Sequence, residues 1–489
     1  MATPLFARIC QPSTPTNART LLAAACTPRL PSSGHIVLQR RSYKRVKGEK
    51  RGRIGWKDDK DRPGRPSDAA VGQVQKKSDK SGGFLRPLPP TQIVKIDVPS
   101  GLQPSSLDLP VFEPASRMPP FTTPFSYCCA HQAAVTAENI GSALEFPQKE
   151  DGPLRIFGMP KKTFLEYRVL SKLCSVIRDI TVDTIKLLEA ASQSSSLDTR
   201  VVLSGRPGCG KSFLLMQAVE YCALNDWIVL YIPRGVNLVN STTPHVYDAR
   251  TQTYLQPAYA YQLLQRLQTV NAAALSELTT SQDLVLERRS IPAETTLSEL
   301  ITYGTSEQSF SPIILDALMR ELGSQTKYPV LLAVDDFQAL YCKTAYRDPH
   351  FASIRPYHLS IPRLITEFAC GSRSFARGAV LGAINASDPS YAIPLELREA
   401  LSLPHTRPPS PYDTRSRTLI EYTDGLRPLA VPDKLSVNEA ASIYEIWMKD
   451  KAFDSAVLDE VFLAKYAESS GNARDFVWKG LLSTLSDVA

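Results

Sequence analysis

Eight consecutive residues have the types and the spacing of a phosphate-binding loop, G-x-x-x-x-G-K-S. They are Gly205, Arg206, Pro207, Gly208, Cys209, Gly210, Lys211 and Ser212. In such a loop the glycines let backbone N–H groups close around nucleotide phosphates, at the positive end of the following helix. We expect Lys211 to neutralise the phosphates and the Ser212 hydroxyl to bind Mg²⁺. The motif therefore predicts a site for a nucleoside diphosphate or triphosphate.

This motif requires a strand before it and a helix after it. Residues 201–203 are a short β-branched run that predicts a buried strand, and residues 213–219 predict a helix. The strand, loop and helix therefore occur in the required order. This context disfavours the alternative interpretation, a glycine-rich turn that binds no ligand.

Two adjacent carboxylates end a second apolar run, residues 330–334. Asp335 follows the run directly, so it is the predicted Mg²⁺ ligand opposite Ser212. Asp336 is the candidate for activating the attacking water, but motor ATPases of this layout usually have Glu here. Because Asp is one methylene shorter, any hydrolysis is expected to be slow. A role for the pair in capping or turn formation is the alternative.

Two further polar residues are candidates for contact with the nucleotide. Asn385 follows the apolar run 379–384, where related ATPases place a residue that senses the γ-phosphate. Arg474 begins a predicted helix near the C-terminus and is a candidate second sensor. A turn asparagine and a surface arginine are the respective alternatives.

The alternation of apolar runs with helical patterns predicts an α/β fold. Runs at 201–204, 227–232, 330–334 and 379–384 are almost wholly apolar, which is typical of a parallel sheet covered by helices. We assign 131–415 to this nucleotide-binding core, with a polar insertion at 272–310 whose structure the sequence does not define. Residues 416–489 are predicted to form a small helical lid, with a capping box at Ser436 and Glu439.

The basic charge of the chain is concentrated near its N-terminus. Residues 1–65 contain 15 Lys and Arg but only 4 Asp and Glu, whereas the whole chain has a formal charge of +7. Residues 1–43 contain no acidic residue and are rich in Arg and Ser, which is typical of a mitochondrial transit peptide. A disordered basic tail is the alternative. This composition predicts that the mature protein lies in the mitochondrial matrix.

Residues 44–130 are predicted to form an extended arm. The arm is basic as far as Arg65 and then proline-rich, with nine prolines between Arg86 and Pro120. Prolines exclude long helices, and clustered basic residues neutralise phosphates, so we expect the arm to lie on RNA and neighbouring proteins. A solvated tail is the alternative.

Other classes of protein are disfavoured by composition. No apolar stretch reaches the roughly 18 residues or more that a membrane span needs. The nine cysteines include no C-x-x-C pair, which favours reduced thiols over a disulfide framework or a zinc site.

The order of several motifs resembles the death-associated protein three family. The resemblance covers the chain from about Gly158 to its C-terminus. It depends on the phosphate loop followed by Tyr231-Ile232-Pro233, Leu238-Val239-Asn240, Tyr254, Gln256-Pro257, Leu263-Leu264, the strand before Asp335 and the segment Gly471-Asn472-Ala473-Arg474-Asp475. Ala473 stands where the family often has Pro.

The resemblance implies an AAA+-like P-loop NTPase fold and a structural role in the small subunit of the mitochondrial ribosome. The implied partners are small-subunit rRNA, other proteins of the subunit head, and large-subunit proteins at an intersubunit bridge. The implied cofactors are GTP or GDP, in preference to ATP, with Mg²⁺, and at most slow GTPase activity. An active AAA+-type matrix ATPase and a signalling scaffold switched by its nucleotide are the alternatives.

Overall fold

The structure is a computed structural model. It describes residues 111–112, 132–133, 135, 137–147, 149–170, 172–286, 290–385, 388–405, 410, 412–450 and 459–482. These residues belong to one compact unit, Ser78–Ala489. The predicted transit peptide lies outside the described residues, as does nearly all of the predicted arm.

The strands and helices follow one another in mixed order along the chain. The strands are β1 (Val111–Phe112), β2 (Gln132–Ala133), β3 (Ala143–Glu145), β4 (Cys174–Val176), β5 (Arg200–Ser204), β6 (Ile228–Ile232), β7 (Val246–Asp248), β8 (Thr253–Leu255), β9 (Leu284–Val285), β10 (Ser290–Ile291), β11 (Val330–Asp335), β12 (Gly378–Ala383) and β13 (Arg427–Ala430). The helices are α1 (Pro153–Phe157), α2 (Lys161–Val169), α3 (Asp179–Ala191), α4 (Lys211–Leu224), α5 (Pro257–Val270), α6 (Ala272–Glu277), α7 (Leu297–Ser306), α8 (Ser311–Ser324), α9 (Ser360–Cys370), α10 (Leu395–Ala400), α11 (Arg417–Thr423), α12 (Val437–Lys449), α13 (Asp459–Glu468) and α14 (Ala473–Asp475), which a π-helix continues over Phe476–Leu481.

A five-stranded parallel sheet forms the centre of the protein. Its strand order is β13-β5-β12-β11-β6, and every neighbouring pair is parallel. The residues of β6, β11 and β12 are buried throughout, which explains their apolar sequences. The predicted α/β class with a parallel sheet is confirmed.

The sheet order places the predicted site residues at one edge. Strand β12 lies between β5, which leads into the phosphate loop, and β11, which ends at Asp335. Carboxyl ends of parallel strands meet at the same edge of a sheet, so the loop, Asp335 and Asn385 converge there. Helix α4 packs against β6, β11 and β12 behind this edge.

A smaller sheet lies earlier in the chain and has the order β2-β1-β3-β4. Strand β1 falls within the predicted arm, and it pairs in parallel with β2 and β3. Strands β3 and β4 are antiparallel. This short part of the arm therefore has regular backbone pairing.

The segment 272–310 has a defined structure wherever it is described. It contains α6, the antiparallel pair of β9 and β10, and α7. Helix α7 buries Leu297, Leu300 and Ile301 and packs against α5 and α8. The segment is thus a helical extension of the core and not a polar loop.

The C-terminal segment contributes to the core sheet as well as forming helices. The predicted capping box is confirmed, since Ser436 and Glu439 bond each other's backbone N–H groups at the start of α12. However, β13 also belongs to this segment and pairs in parallel with β5. Residues 427–430 are thus a strand within the segment 416–489, which was predicted to be mainly helical. Strand β13 is short and largely exposed, so its sequence lacks the apolar run that marks a buried strand.

Candidate functional site

The phosphate loop connects the end of β5 to the start of α4. Gly208 and Gly210 adopt φ angles of 88° and 100°, in the left-handed region that favours glycine. These angles let the chain turn sharply and enter α4 with its first N–H groups directed into the loop. The glycine spacing of the motif is therefore accounted for by the backbone.

The ammonium group of Lys211 is buried within the loop. Its Nζ donates hydrogen bonds to the carbonyl oxygens of Gly205, 2.9 Å away, and of Arg206, 2.8 Å away. The Cys209 sulfur lies 3.5 Å from the same nitrogen. Lys211 thus stabilises the curled loop and holds a positive charge at its centre.

Ser212 and Asp335 face each other at the predicted metal position. The Ser212 hydroxyl bonds the Asp335 carboxylate, and the backbone N–H of Asp336 donates to Asp335 Oδ1 over 2.9 Å. Burial and the neighbouring Asp336 carboxylate raise the pKa of Asp335. Mg²⁺ prefers hard oxygen ligands of this kind. The two groups therefore fit the predicted Mg²⁺ site.

Asp336 is engaged by other side chains. Its Oδ1 accepts a hydrogen bond of 2.8 Å from Nδ2 of Asn385, and Nε of Arg234 lies 3.9 Å from its Oδ2. Burial raises the pKa of Asp336, while Asn385 and Arg234 oppose the shift. The Asp336 carboxylate is therefore held in place by Asn385 and Arg234.

The backbone of Asn385 is fixed by Gln338, which is fully buried. Gln338 Oε1 accepts from the N–H of Asn385 at 3.0 Å, and its Nε2 donates to the carbonyl of Asn385 at 2.6 Å. Asn385 therefore has a defined position beside Asp336, just beyond the end of β12.

These groups surround a cavity of about 410 Å³, which lies within the usual size range of small-molecule sites. The predicted residues that line it are Gly208, Gly210, Lys211, Ser212, Asp335, Asp336, Asn385 and Arg474. The other predicted loop residues, Gly205, Arg206, Pro207 and Cys209, do not line the cavity. Gly205 and Arg206 instead supply the carbonyls that hold Lys211.

Three C-terminal residues, which we call the C-terminal clamp, bond the outer side of the phosphate loop. Asp433 Oδ1 accepts from the N–H of Arg206, and Asn472 Nδ2 donates to the carbonyl of Pro207, each over 3.0 Å. The backbone N–H of Arg474 donates to the carbonyl of Gly208 over 3.0 Å. The clamp ties consecutive loop residues to the C-terminal segment.

Arg178 makes a second connection between the loop and the C-terminal segment. Its Nη1 donates to the carbonyl of Cys209 over 2.8 Å, and its Nη2 donates to the carbonyls of Pro432 and Lys434. Its Nε lies 3.3 Å from a carboxylate oxygen of Glu439. No sequence motif indicates this role, because a single arginine before a helix has no distinctive pattern.

Sequence reasoning also missed Glu166 and Lys162, which line the cavity from α2. Burial raises the pKa of Glu166 to about 7, although a hydrogen bond from the Trp478 indole N–H and the nearby charges of Arg474 and Lys162 oppose the shift. Helix α2 is only weakly amphipathic and carries no motif. Only the three-dimensional arrangement identifies these two residues as part of the site.

The described residues give no sign of a metal cluster, a membrane-spanning helix or a disulfide framework. No group of three or more His, Cys, Asp or Glu side chains there is arranged to hold a metal ion. None of the described helices is both long and apolar enough to cross a membrane. The described cysteines Cys174, Cys209, Cys222, Cys342 and Cys370 are free thiols.

Comparison with known proteins gives a consistent result. Residues 175–478 match the family model described as mitochondrial ribosomal death-associated protein 3. The small ribosomal subunit protein mS29 of Neurospora crassa is 28% identical over 349 residues, which are 68% of this chain and 73% of that protein. The mS29 protein of Schizosaccharomyces pombe is 26% identical over 350 residues, which are 70% of this chain and 71% of that protein. The mouse mS29 protein is 24% identical over 209 residues, 42% of this chain and 53% of its own length.

Proposed function

Because the chain belongs to the family of mitochondrial ribosomal death-associated protein 3, we propose that it is a structural protein of the mitochondrial small ribosomal subunit that binds a guanine nucleotide with Mg²⁺. The compartment is the mitochondrial matrix, because the matching family is one of mitochondrial ribosomal proteins. Its proposed partners are small-subunit rRNA, other proteins of the subunit head and large-subunit proteins at an intersubunit bridge. The basic arm supports the RNA partner through its charge.

One observation carries the nucleotide proposal, namely the convergence of Lys211, Ser212 and Asp335 on the cavity at the sheet edge. A curled glycine loop, a buried ammonium group and two facing hard oxygens supply the groups that a Mg²⁺-bound polyphosphate needs. Ser212 and Asp335 would hold the metal, which neutralises charge on the phosphates when bound. The preference for GTP or GDP over ATP comes from the family resemblance.

The arrangement also supports an AAA+-like P-loop NTPase fold as the type of core. The strand that carries Asn385 lies between the phosphate-loop strand and the strand that ends at Asp335. In the proposed function, the polar side chain of Asn385 would contact the terminal phosphate. The C-terminal helices, through Arg474, would complete the site as a lid.

The same geometry argues for a structural role of the nucleotide and against rapid turnover. Asp336 is the weak catalytic candidate, and its carboxylate already accepts from Asn385 and lies near Arg234. A short, engaged carboxylate is a poor general base because it must reach a water to activate it. We therefore assign at most slow GTPase activity.

Gradient sedimentation of mitochondrial extract at moderate salt tests the ribosomal role. We expect the wild-type chain to migrate with the small subunit and to carry guanine nucleotide that can be extracted and identified. Lys211→Ala should lose the nucleotide, whereas Lys186→Ala, which changes an exposed lysine of α3, should keep it. A free oligomer with rapid ATP turnover would instead identify an active matrix ATPase.

A further inference from the structure

A second feature of the structure lies away from the nucleotide cavity, in the long connection between β11 and α9. Residues 346–354 form a tight hairpin, closed by an antiparallel bridge between Arg347 and Ser353. Phe351 lies at its tip and is 83% exposed. A ring this exposed on a structured turn is available to a partner, and its burial in such a contact would be favourable.

The backbone of the hairpin has a defined conformation at Phe351. Phe351 has a φ of 62°, a left-handed conformation that is unusual for an aromatic residue. The Asp348 carboxylate accepts from the N–H groups of His350 and Ala352, each over 2.8 Å. The N–H of Phe351 itself donates to the carbonyl of Asp348. The turn is therefore stabilised by its own hydrogen bonds while the ring projects outward.

The base of the hairpin is anchored in a small hydrophobic cluster of Tyr346, Ile354 and Leu359, against which Tyr254 packs. The Tyr346 hydroxyl bonds Thr243 Oγ1 over 2.8 Å and accepts from Gln256 Nε2 over 3.1 Å. The hairpin is thus rigidly fixed at its base and presents its tip to solvent. Such preorganisation lowers the entropic cost of binding a partner.

The segment 343–355, which contains the hairpin and its base, has a net positive charge. Lys343, Arg347 and Arg355 are exposed and form no ion pair with any residue in the described part of the chain. The one carboxylate between them, Asp348, is turned into the hairpin by its hydrogen bonds. Arg347 extends toward the tip, where its Nη1 donates to the carbonyl of Phe351 over 3.4 Å.

We propose that the 346–354 hairpin docks on RNA, with Phe351 stacked on an unpaired base and Lys343, Arg347 and Arg355 on the flanking phosphates. Proteins recognise unpaired RNA by stacking bases on aromatic side chains and by placing cations along the backbone. An exposed ring on a hairpin that carries Arg347 near its tip, with exposed cations at its base, matches both requirements at once. A neutral protein pocket would match only the ring. This inference rests on the proposed ribosomal function for the presence of RNA.

The test uses mitochondrial small subunits that contain the full-length chain. Ultraviolet cross-linking followed by mass spectrometry should give an RNA adduct on the peptide that contains Phe351. Replacing the cations together, as K343Q/R347Q/R355Q, should lower the yield of this adduct at least fivefold. Tyr412→Ala is the matched control. Tyr412 is 91% exposed, but the nearby Arg415 and Arg417 are already paired with Glu399 and Glu421.

A second variant tests the ring itself. Phe351→Asn should keep the fold, since Asn tolerates the left-handed backbone, and should weaken the affinity of the chain for the stripped subunit. Loss of one stacked base, worth about 1–3 kcal/mol, corresponds to about a 5- to 150-fold weaker affinity. Unchanged affinity, or an adduct of this peptide with protein in place of RNA, would overturn the proposal. A wild-type chain absent from the subunit would overturn the proposed function itself.

Discussion

The side-chain amide of Asn472 donates a hydrogen bond to the carbonyl oxygen of Pro207, 3.0 Å away, across 265 positions of sequence. The backbone N–H of Arg474 makes an equivalent bond to the next loop residue, Gly208. A Cβ added to Gly208 would lie only 2.4 Å from Asn472 Oδ1, so the contact is tight. The conformation of the phosphate loop therefore depends on the C-terminal segment.

Replacing Asn472 tests this dependence. Asn472→Ala removes the bond to Pro207 and the cap that Asn472 Oδ1 provides to the N–H of Asp475. We expect a loss of about 1–2 kcal/mol in the free energy of unfolding, together with weaker GTP binding. Denaturant unfolding and calorimetric titration with GTP and Mg²⁺ measure the two effects.

Asn225→Ala is the matched control, because Asn225 Nδ2 also donates to a backbone carbonyl, that of Tyr221 at the end of α4. This variant should lose stability but keep its GTP affinity. Equal losses of GTP affinity in the two variants would contradict a specific role for the C-terminal clamp.

Asp335 is expected to govern the Mg²⁺ dependence of nucleotide binding. Asp335→Asn keeps the shape and an oxygen but removes the charge that attracts Mg²⁺, so affinity measured with Mg²⁺ should fall at least about tenfold, or 1.4 kcal/mol. Affinity measured in EDTA should change little. Titrations with and without EDTA check this, and Asp198→Asn, at an exposed position, should behave as the wild type. An equal loss in both buffers would show that Asp335 acts by structure alone.

Glu220 is expected to make stability depend on pH. It is buried in α4, and burial raises its pKa to about 8, although the N–H of Leu154 donates to it. The native state therefore retains a proton that the unfolded state releases near pH 4.5. The stabilising contribution is complete below pH 4.5 and is lost as pH rises toward 8.

The side chain of the variant Glu220→Gln does not ionise in this pH range. Relative to it, the wild type should lose about 1 kcal/mol of unfolding free energy per pH unit between pH 5 and 8. Urea unfolding at pH 5, 6.5 and 8 measures the difference, and Glu468→Gln, on the surface of α13, provides the comparison. If the difference in unfolding free energy between wild type and Glu220→Gln stays constant with pH, the pKa of Glu220 is not raised in the native state.

Nucleotide turnover should be slow and insensitive to Asp336. Since Asn385 and Arg234 engage this carboxylate, we expect fewer than about one GTP hydrolysed per second, the low end of ordinary enzymes. Asp336→Asn should change the rate less than about threefold, because the group is a poor base in this setting. Phosphate release from GTP and from ATP measures both values. Faster turnover that Asp336→Asn abolishes would establish an active NTPase.

Sequence patterns predicted those strands and helix ends whose residues are determined by burial or by neighbours within one helical turn. Strands β6, β11 and β12 are buried on both faces, so their residues must be apolar whatever lies around them. The capping box at Ser436 and Glu439 spans a single helical turn and is visible for the same reason. In contrast, β13 has exposed residues and a proline, and only its pairing with β5 makes it a strand.

The residues of the candidate site also fall into two groups, those that local sequence patterns identify and those that only the folded structure identifies. The loop glycines, Lys211 and Ser212 form one contiguous motif, and Asp335 and Asn385 follow apolar strands, so each carries a signal in its neighbours. Arg178, which precedes α3, and Glu166 of α2 reach the site from elsewhere in the chain, and their roles follow from contacts made only after folding. No local sequence pattern around either residue encodes such a contact.

The position of Pro428 in β13 affects whether incomplete chains aggregate during synthesis. Proline lacks an N–H group and is suited to the outermost strand of a sheet, where it hinders the addition of a strand from another molecule. A chain that ended before Arg427 would leave β5 as the outermost strand, with the buried sequence of Val201 to Ser204 along an open edge. Translation products truncated at that point should therefore aggregate, and completion of the C-terminus should be the step that covers this edge of the sheet.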